Sequence, residues 1–166
     1  MSNFNYVASF YEGGRWALKV ADMLNGAGVR CEATPIRIAR DNMERDYMTQ
    51  HEQDIVFGWS DQCLEVKSSS RDFTFDVQAY PFASLFVDTV SGFDAKAQTP
   101  LAYVLISQIT SEAVCISPKS LDTWRKVNTY DKKREIMEWF YSAPKSALIP
   151  FDSLVQFLLR QQRNIL

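Results

Sequence analysis

Gln53-Asp54-Ile55-Val56-Phe57-Gly58, then Trp59-Ser60, then Asp61-Gln62-Cys63-Leu64-Glu65-Val66-Lys67-Ser68 is the stretch that decides how this chain folds. Two short apolar runs flank a turn signal, which predicts strands over residues 53–58 and 62–68. The two-residue loop Trp59-Ser60 joins them, closed by Gly58 and Asp61. Pairing then sets Ile55 against Leu64 and Asp54 against Glu65. Side chains alternate across a strand, so Ile55, Phe57, Leu64 and Val66 share one face, the expected core face. Asp54 and Glu65 fall on the other face, directly opposed.

Opposed carboxylates on a sheet repel each other at roughly 5 Å between Cβ atoms. A cation between them removes that cost, and two carboxylates with open positions suit Mg²⁺ when substrate phosphate completes its shell. Lys67 lies on the same face as Glu65, about 6.8 Å further along the strand. Its ammonium is placed to orient a water or to bear charge developing on a phosphoryl group. Plainer accounts exist for each residue. An E-x-K triplet is common in strands, the same register sets Lys67 against Glu52 as an ordinary ion pair, and Asp54 can simply cap a strand.

Outward from the hairpin, residues 12–25 read as a helix. Trp16, Ala17, Val20, Ala21 and Leu24 recur at helical spacing, and Gly26 and Gly28 end it. Residues 29–39 read as a strand near an edge, because Pro35 interrupts them. The polar residues 40–53 fit a loop or a short helix. Phe73, Phe75 and Val77 alternate in a strand-like way within residues 71–80. Pro81 suits a first helical position, which predicts a helix to Ser91, stopped by Gly92. Residues 101–109 are almost uniformly apolar, like a strand covered on both faces, and 113–117 read as its neighbour. Helical patterns are expected over 121–127, 131–141 and 152–162, the last with Asp152 as N-cap and Phe151 as staple. The order implies one α/β domain over residues 1–166, a mixed sheet flanked by helices. Its core spans about 12–117, followed by a helical C-terminal part over about 118–166.

With Asp54-Ile55-Val56-Phe57 followed by Leu64-Glu65-Val66-Lys67-Ser68-Ser69-Ser70, the chain resembles the PD-(D/E)xK nuclease superfamily, the restriction-endonuclease-like fold. The resemblance runs from about Glu12 to Thr110, matching a core of helix, three strands, helix and strand. It implies a Mg²⁺-dependent DNA endonuclease, with Mn²⁺ as a substitute, leaving 5′-phosphate and 3′-hydroxyl ends. In it, Asp54 and Glu65 bind the metal and Lys67 assists the attacking water. Glu12 matches the glutamate that many members carry in the first helix, and Gln78 the glutamine that some carry after the lysine. Gln53 stands where the family name has proline, a variable position.

Composition narrows the alternatives. The 166 residues are 46% hydrophobic and 13% aromatic, which excludes a disordered chain and is ample for one core. A net charge of −2 gives no overall pull toward nucleic acid. Basic residues do cluster at Lys119, Arg125, Lys126, Lys132, Lys133 and Arg134, and a mixed set holds Arg30, Arg37, Arg40 and Arg45. Cys31, Cys63 and Cys115 are widely spaced, which predicts buried thiols rather than zinc or disulfides. No apolar run approaches a membrane span, and Met1–Asn5 lack the pattern of a leader. A cytoplasmic protein with no membrane partner is therefore expected, and a phage or mobile-element origin stays open. His51, the one histidine, offers little for a triad, and no phosphate-binding glycine motif is present. Trp59 is expected to pack on its own hairpin, and Ser68-Ser69-Ser70-Arg71 to reach phosphate or solvent. DNA is the partner these readings imply. The apolar residues of 152–162 leave a homodimer or higher homo-oligomer open. The alternative function is a catalytically silent module of the same fold that binds DNA or protein.

Overall fold

A computed structural model describes residues 6–165 of the chain. Met1–Asn5, read above for a leader pattern, lie outside the described residues. The helix expected from residue 12 begins earlier, as α1 (Tyr6–Gly26). Its stripe of Trp16, Ala17, Val20, Ala21 and Leu24 is buried as the spacing requires. Three strands follow: β1 (Glu32–Ala33), β2 (Ile55–Phe57) and β3 (Ser60–Ser69), with α2 (Asn42–His51) between β1 and β2. Asp41 caps α2 by accepting a hydrogen bond from the Glu44 amide at 2.8 Å. The edge strand β1 keeps only two residues of the expected run, since Pro35 ends it.

The deciding hairpin has the expected register where it matters. Ile55 pairs with Leu64 and Val56 with Cys63, both antiparallel. The turn itself differs: Phe57 pairs with Ser60, so Gly58-Trp59 forms the loop and a bulge follows. That bulge adds an even number of residues, so side-chain parity survives. Ile55, Phe57, Leu64 and Val66 are all buried in one core. Each such side chain contributes roughly 1.5–3 kcal/mol by leaving water.

After β3 the chain crosses over and returns as β5 (Ala102–Ser107), parallel to β3, with Glu65 beside Tyr103 and Lys67 beside Leu105. β6 (Ala113–Ile116) pairs antiparallel with β5, and β9 (Ile149–Pro150) with β6. The resulting six-stranded mixed sheet runs β1-β2-β3-β5-β6-β9. α1 and the last helix, α4 (Phe151–Ile165), cover one face. On α4, Leu154, Val155 and Leu158 are buried in this core and Phe157 and Leu159 pack against it.

The crossover and the C-terminal part depart from expectation. The helix expected from Pro81 to Ser91 is instead β4 (Ser84–Thr89), followed by α3 (Val90–Ala95). Leu85 and Val87 alternate inward. The apolar residues here fit either period, and pairing with a strand over fifty residues away decides for β. The strand-like residues 71–80 form no strand. Backbone carbonyls of Arg71 and Phe73 are satisfied by the hydroxyls of Ser107 (2.8 Å) and Thr110 (2.6 Å) instead. The helices expected over 121–127 and 131–141 are a 3₁₀ turn (Pro118–Thr123) and the antiparallel pair β7 (Arg125–Asp131) and β8 (Ile136–Pro144). Their turn carries no glycine or asparagine, which hides it in the sequence. Glu135 takes the left-handed conformation (φ 56°), and the Asp131 carboxylate accepts from the Lys133 and Arg134 amides at 2.8 and 3.2 Å. The C-terminal part is therefore not all helix.

β4, β8 and β7 make a second, three-stranded sheet. With the crossover it covers the other face of the main sheet, where Leu85, Val87, Tyr103, Val114, Ile116 and Trp124 share a second core. All three cysteines are free and buried. Among the described residues no helix is long and apolar enough to cross a membrane.

Candidate active site

β3 carries Glu65 and Lys67 on the face turned toward the second sheet, because Leu64 and Val66 take the opposite face into the helix-covered core. Asp54 immediately precedes β2, one residue from the Ile55–Leu64 pair, so it stands at the level of Glu65. Its Oδ2 accepts from the Val66 amide at 2.7 Å. Its Oδ1 has no hydrogen-bond partner among the described residues. The second sheet adds Asp88 from the end of β4, and Lys96 follows α3 directly.

These groups form one network. Lys67 Nζ lies 2.9 Å from Glu65 Oε1 and 3.3 Å from Asp88 Oδ1. Lys96 Nζ lies 3.2 Å from Glu65 Oε2 and 3.9 Å from Asp88 Oδ2. Asp88 also accepts from the Tyr103 hydroxyl (3.0 Å) and the Thr89 amide (2.9 Å). Glu65, Asp54, Lys67, Asp88 and Lys96 line a cavity of about 370 Å³ whose other walls include Gly13 and Gly14 of α1. Lys67, Asp88 and Thr89 also line an adjoining groove of about 700 Å³.

Electrostatics distinguish the two acids of the hairpin. Burial, and then the charge of Glu65, push the Asp54 carboxyl well above the usual carboxylate range. Burial alone would raise Glu65 as well, but Lys67 and Lys96 overcome it and hold Glu65 below its ordinary value. Burial works against the Lys67 ammonium, yet Glu65, Asp88 and Asp54 outweigh it and hold its pKa above the usual value. Lys67 is thus a permanent cation at neutral pH, suited to donate hydrogen bonds and unsuited to accept a proton.

The plain pairing of Lys67 with Glu52 does not occur, since Lys67 turns to Glu65 and Asp88. Glu52 lines the same cavity, and its buried Oε1 has no hydrogen-bond partner among the described residues. Burial, followed by Glu44 and Glu65 against the pull of Arg37, raises its pKa. Glu12 lies on α1 beside Gly13, but its Oε1 accepts from Gln108 (3.1 Å), which also donates to Ser68 Oγ (3.0 Å). Glu12 is thereby tied to the far end of β3 and does not line the cavity. Gln78 is exposed in the crossover, away from the cavity, its carbonyl accepting from Lys145 at 2.8 Å. His51 is exposed and stacks on Tyr47. Trp59 packs on Phe57 of its own hairpin and donates to the Arg30 carbonyl at 2.7 Å.

Sequence reading missed Asp88, Lys96 and Tyr103. Tyr103 was legible only as an apolar residue in a buried strand. Asp88 was hidden because residues 81–91 carried a helical pattern, and Lys96 because it lies just past them in a stretch with no periodic signal.

The donor set can be tested for a divalent ion. Among the described residues no group of three or more His, Cys, Asp or Glu side chains forms a ready metal cage. Two carboxylates nevertheless suffice for Mg²⁺ when phosphate and water complete the shell. Among the described residues Glu52 Oε1 and Asp54 Oδ1 have no hydrogen-bond partner and both residues line the cavity, so unengaged carboxyl oxygens are present there. The residues present fit such an ion. Against known proteins, the chain matches no family model, no curated protein and no solved structure.

Proposed function

We propose that this chain is a Mg²⁺-dependent DNA endonuclease of the restriction-endonuclease-like fold, with Asp54 and Glu65 as the metal ligands. One observation carries the reading: Asp54, Glu65 and Lys67 meet at one cavity on one face of the hairpin. The element order supports it in part: α1, the antiparallel strands β1, β2 and β3 and the parallel strand β5 come in the order that the resemblance implies, with α2 inserted after β1 and with β4 and the short α3 in the crossover. When bound, Mg²⁺ supplies Lewis-acid charge to a phosphoryl oxygen, and Mn²⁺ does the same. Lys67 orients the attacking water and donates to charge developing on phosphorus-bound oxygen. Asp88, itself held by Tyr103 and Thr89, fixes the Lys67 ammonium against the groove. Glu12 and Gln78 enter the proposal only as outlying polar groups, one helix position from Gly13 and on the crossover respectively.

A second reading has its own observation. Both Glu65 oxygens are already engaged by lysine ammoniums, so the site is partly neutralised without a metal. That favours a catalytically silent module of the same fold. Calorimetric titration with Mg²⁺ and Mn²⁺ separates the two. The nuclease reading expects saturable binding by the native chain and at least a tenfold loss in Asp54→Asn. Heat of dilution alone with both ions supports the silent module.

A further inference from the structure

Beyond the last β4–β8 pair, Thr89 with Phe140, the second sheet continues as a two-stranded arm. Among the described residues only β7 pairs with residues 136–139 of β8. A bare hairpin in water is marginal, and this one carries large apolar groups in solvent: Tyr130 is 52% exposed, Met137 61% and Trp139 50%. Tyr130 pairs with Met137 and Asn128 with Trp139, so all three fall on one face of the arm. One pair nearer the base, the same face carries Lys126 and Tyr141, and Tyr141 pairs in turn with Asp88 of the candidate active site. The exposed face continues the one that packs on the second core, where Tyr141 lies against Phe93 and Trp124, while Phe140 on the opposite face lines the groove beside Asp88.

Its charges indicate the occupant. Arg134 is engaged by Asp131 (2.8 Å) and Glu138 (3.4 Å), which braces the turn. Lys132 and Lys133, at the tip, form no ion pair among the described residues, and Lys126 rests 5.4 Å over the Tyr141 ring. Aromatic faces set among unpaired lysines suit a polyanion with flat bases and sugars. β7 is also the sheet edge, and Arg125 and Lys126 on it oppose strand-to-strand pairing with a second copy.

We propose that the β7–β8 arm is a DNA-binding element, which enters a groove of duplex DNA and leads its backbone toward Lys67. A two-stranded ribbon fits the major groove. The four ladder steps from Ile136 to Phe140 span roughly 13 Å, so a duplex held at the tip reaches the cavity without a large motion. The choice of DNA as the polyanion rests on the nuclease reading; the arm's role in binding does not require cleavage.

The test is fluorescence anisotropy of a labelled duplex in EDTA, which prevents cutting, across a salt series. Lys132→Ala/Lys133→Ala should weaken binding about tenfold or more and lower the slope of log affinity against log salt by about 2. Trp139→Ala should weaken binding without changing the slope. Arg160→Ala/Arg163→Ala on α4 should bind as the native chain does. Native-like affinity in both arm variants, or no duplex binding by the native chain, overturns the proposal. So does a dimer in sedimentation that Trp139→Ala converts to monomer, because a second copy then covers the arm. Binding through the arm without any cutting in Mg²⁺ leaves the arm standing and removes the nuclease reading instead.

Discussion

Lys67→Ala is expected to cut phosphodiester cleavage by about 10²–10³-fold or more, the size of effect seen when a transition-state donor is removed. Lys67 is the ammonium common to the carboxylate cavity and the adjoining groove, so it faces the position where phosphate would pass. It also competes with a divalent ion for Glu65 Oε1, which it touches at 2.9 Å. Its loss should therefore leave Mg²⁺ affinity unchanged or tighter while the cleavage rate collapses. Single-turnover kinetics beside calorimetry on the same preparation reads both quantities. A variant that loses metal binding in proportion to its rate would show Lys67 to be a structural counter-ion and not a participant in the chemistry.

Asp88→Ala should produce the largest loss of stability, about 3–5 kcal/mol, as expected when one partner of a buried charge network is removed. The side chain of Asp88 is only 9% exposed and that of Lys96 11%. Without Asp88, both lysines depend on Glu65 alone, and the buried Tyr103 hydroxyl loses its acceptor. Asp88→Asn keeps one carbonyl acceptor, for Thr89 or Tyr103 but not both, and should cost less than the alanine. Tyr103→Phe removes one hydrogen bond and should cost about 1 kcal/mol. Urea unfolding with a common m-value gives all three. A loss below about 1 kcal/mol in Asp88→Ala would mean that this carboxylate is solvated and that Lys67 is positioned by Glu65 alone.

What the sequence made legible follows from how local each signal is. Asp54, Ile55, Leu64, Glu65 and Lys67 belong to one hairpin, where a period of two fixes faces without reference to the rest of the chain. The loop was misplaced by one residue, yet the even bulge preserved the parity on which the acid face depends. α1, β5, β6 and α4 were also readable, since each has a single dominant period. Leu85, Phe86 and Val87 were not, because their partners Ala143 and Ser142 lie far along the chain and helix and strand templates fit them equally. The turn after Asp131 was hidden for a related reason. A left-handed Glu135 does work usually left to glycine, and an Asp131 side chain supplies the bonds that would mark it. Asp88 lies at the end of the misread β4 and Lys96 just beyond the short helix that follows it, so half of the charge network was out of reach.

The most direct test is cleavage of supercoiled and branched DNA by the native chain and by Glu65→Ala, purified in parallel, with Mg²⁺ and with EDTA. Nicked or linear product is expected from the native chain in Mg²⁺ only, and none above background from Glu65→Ala. Equal cleavage by the two proteins, or cleavage undiminished in EDTA, would contradict the nuclease reading.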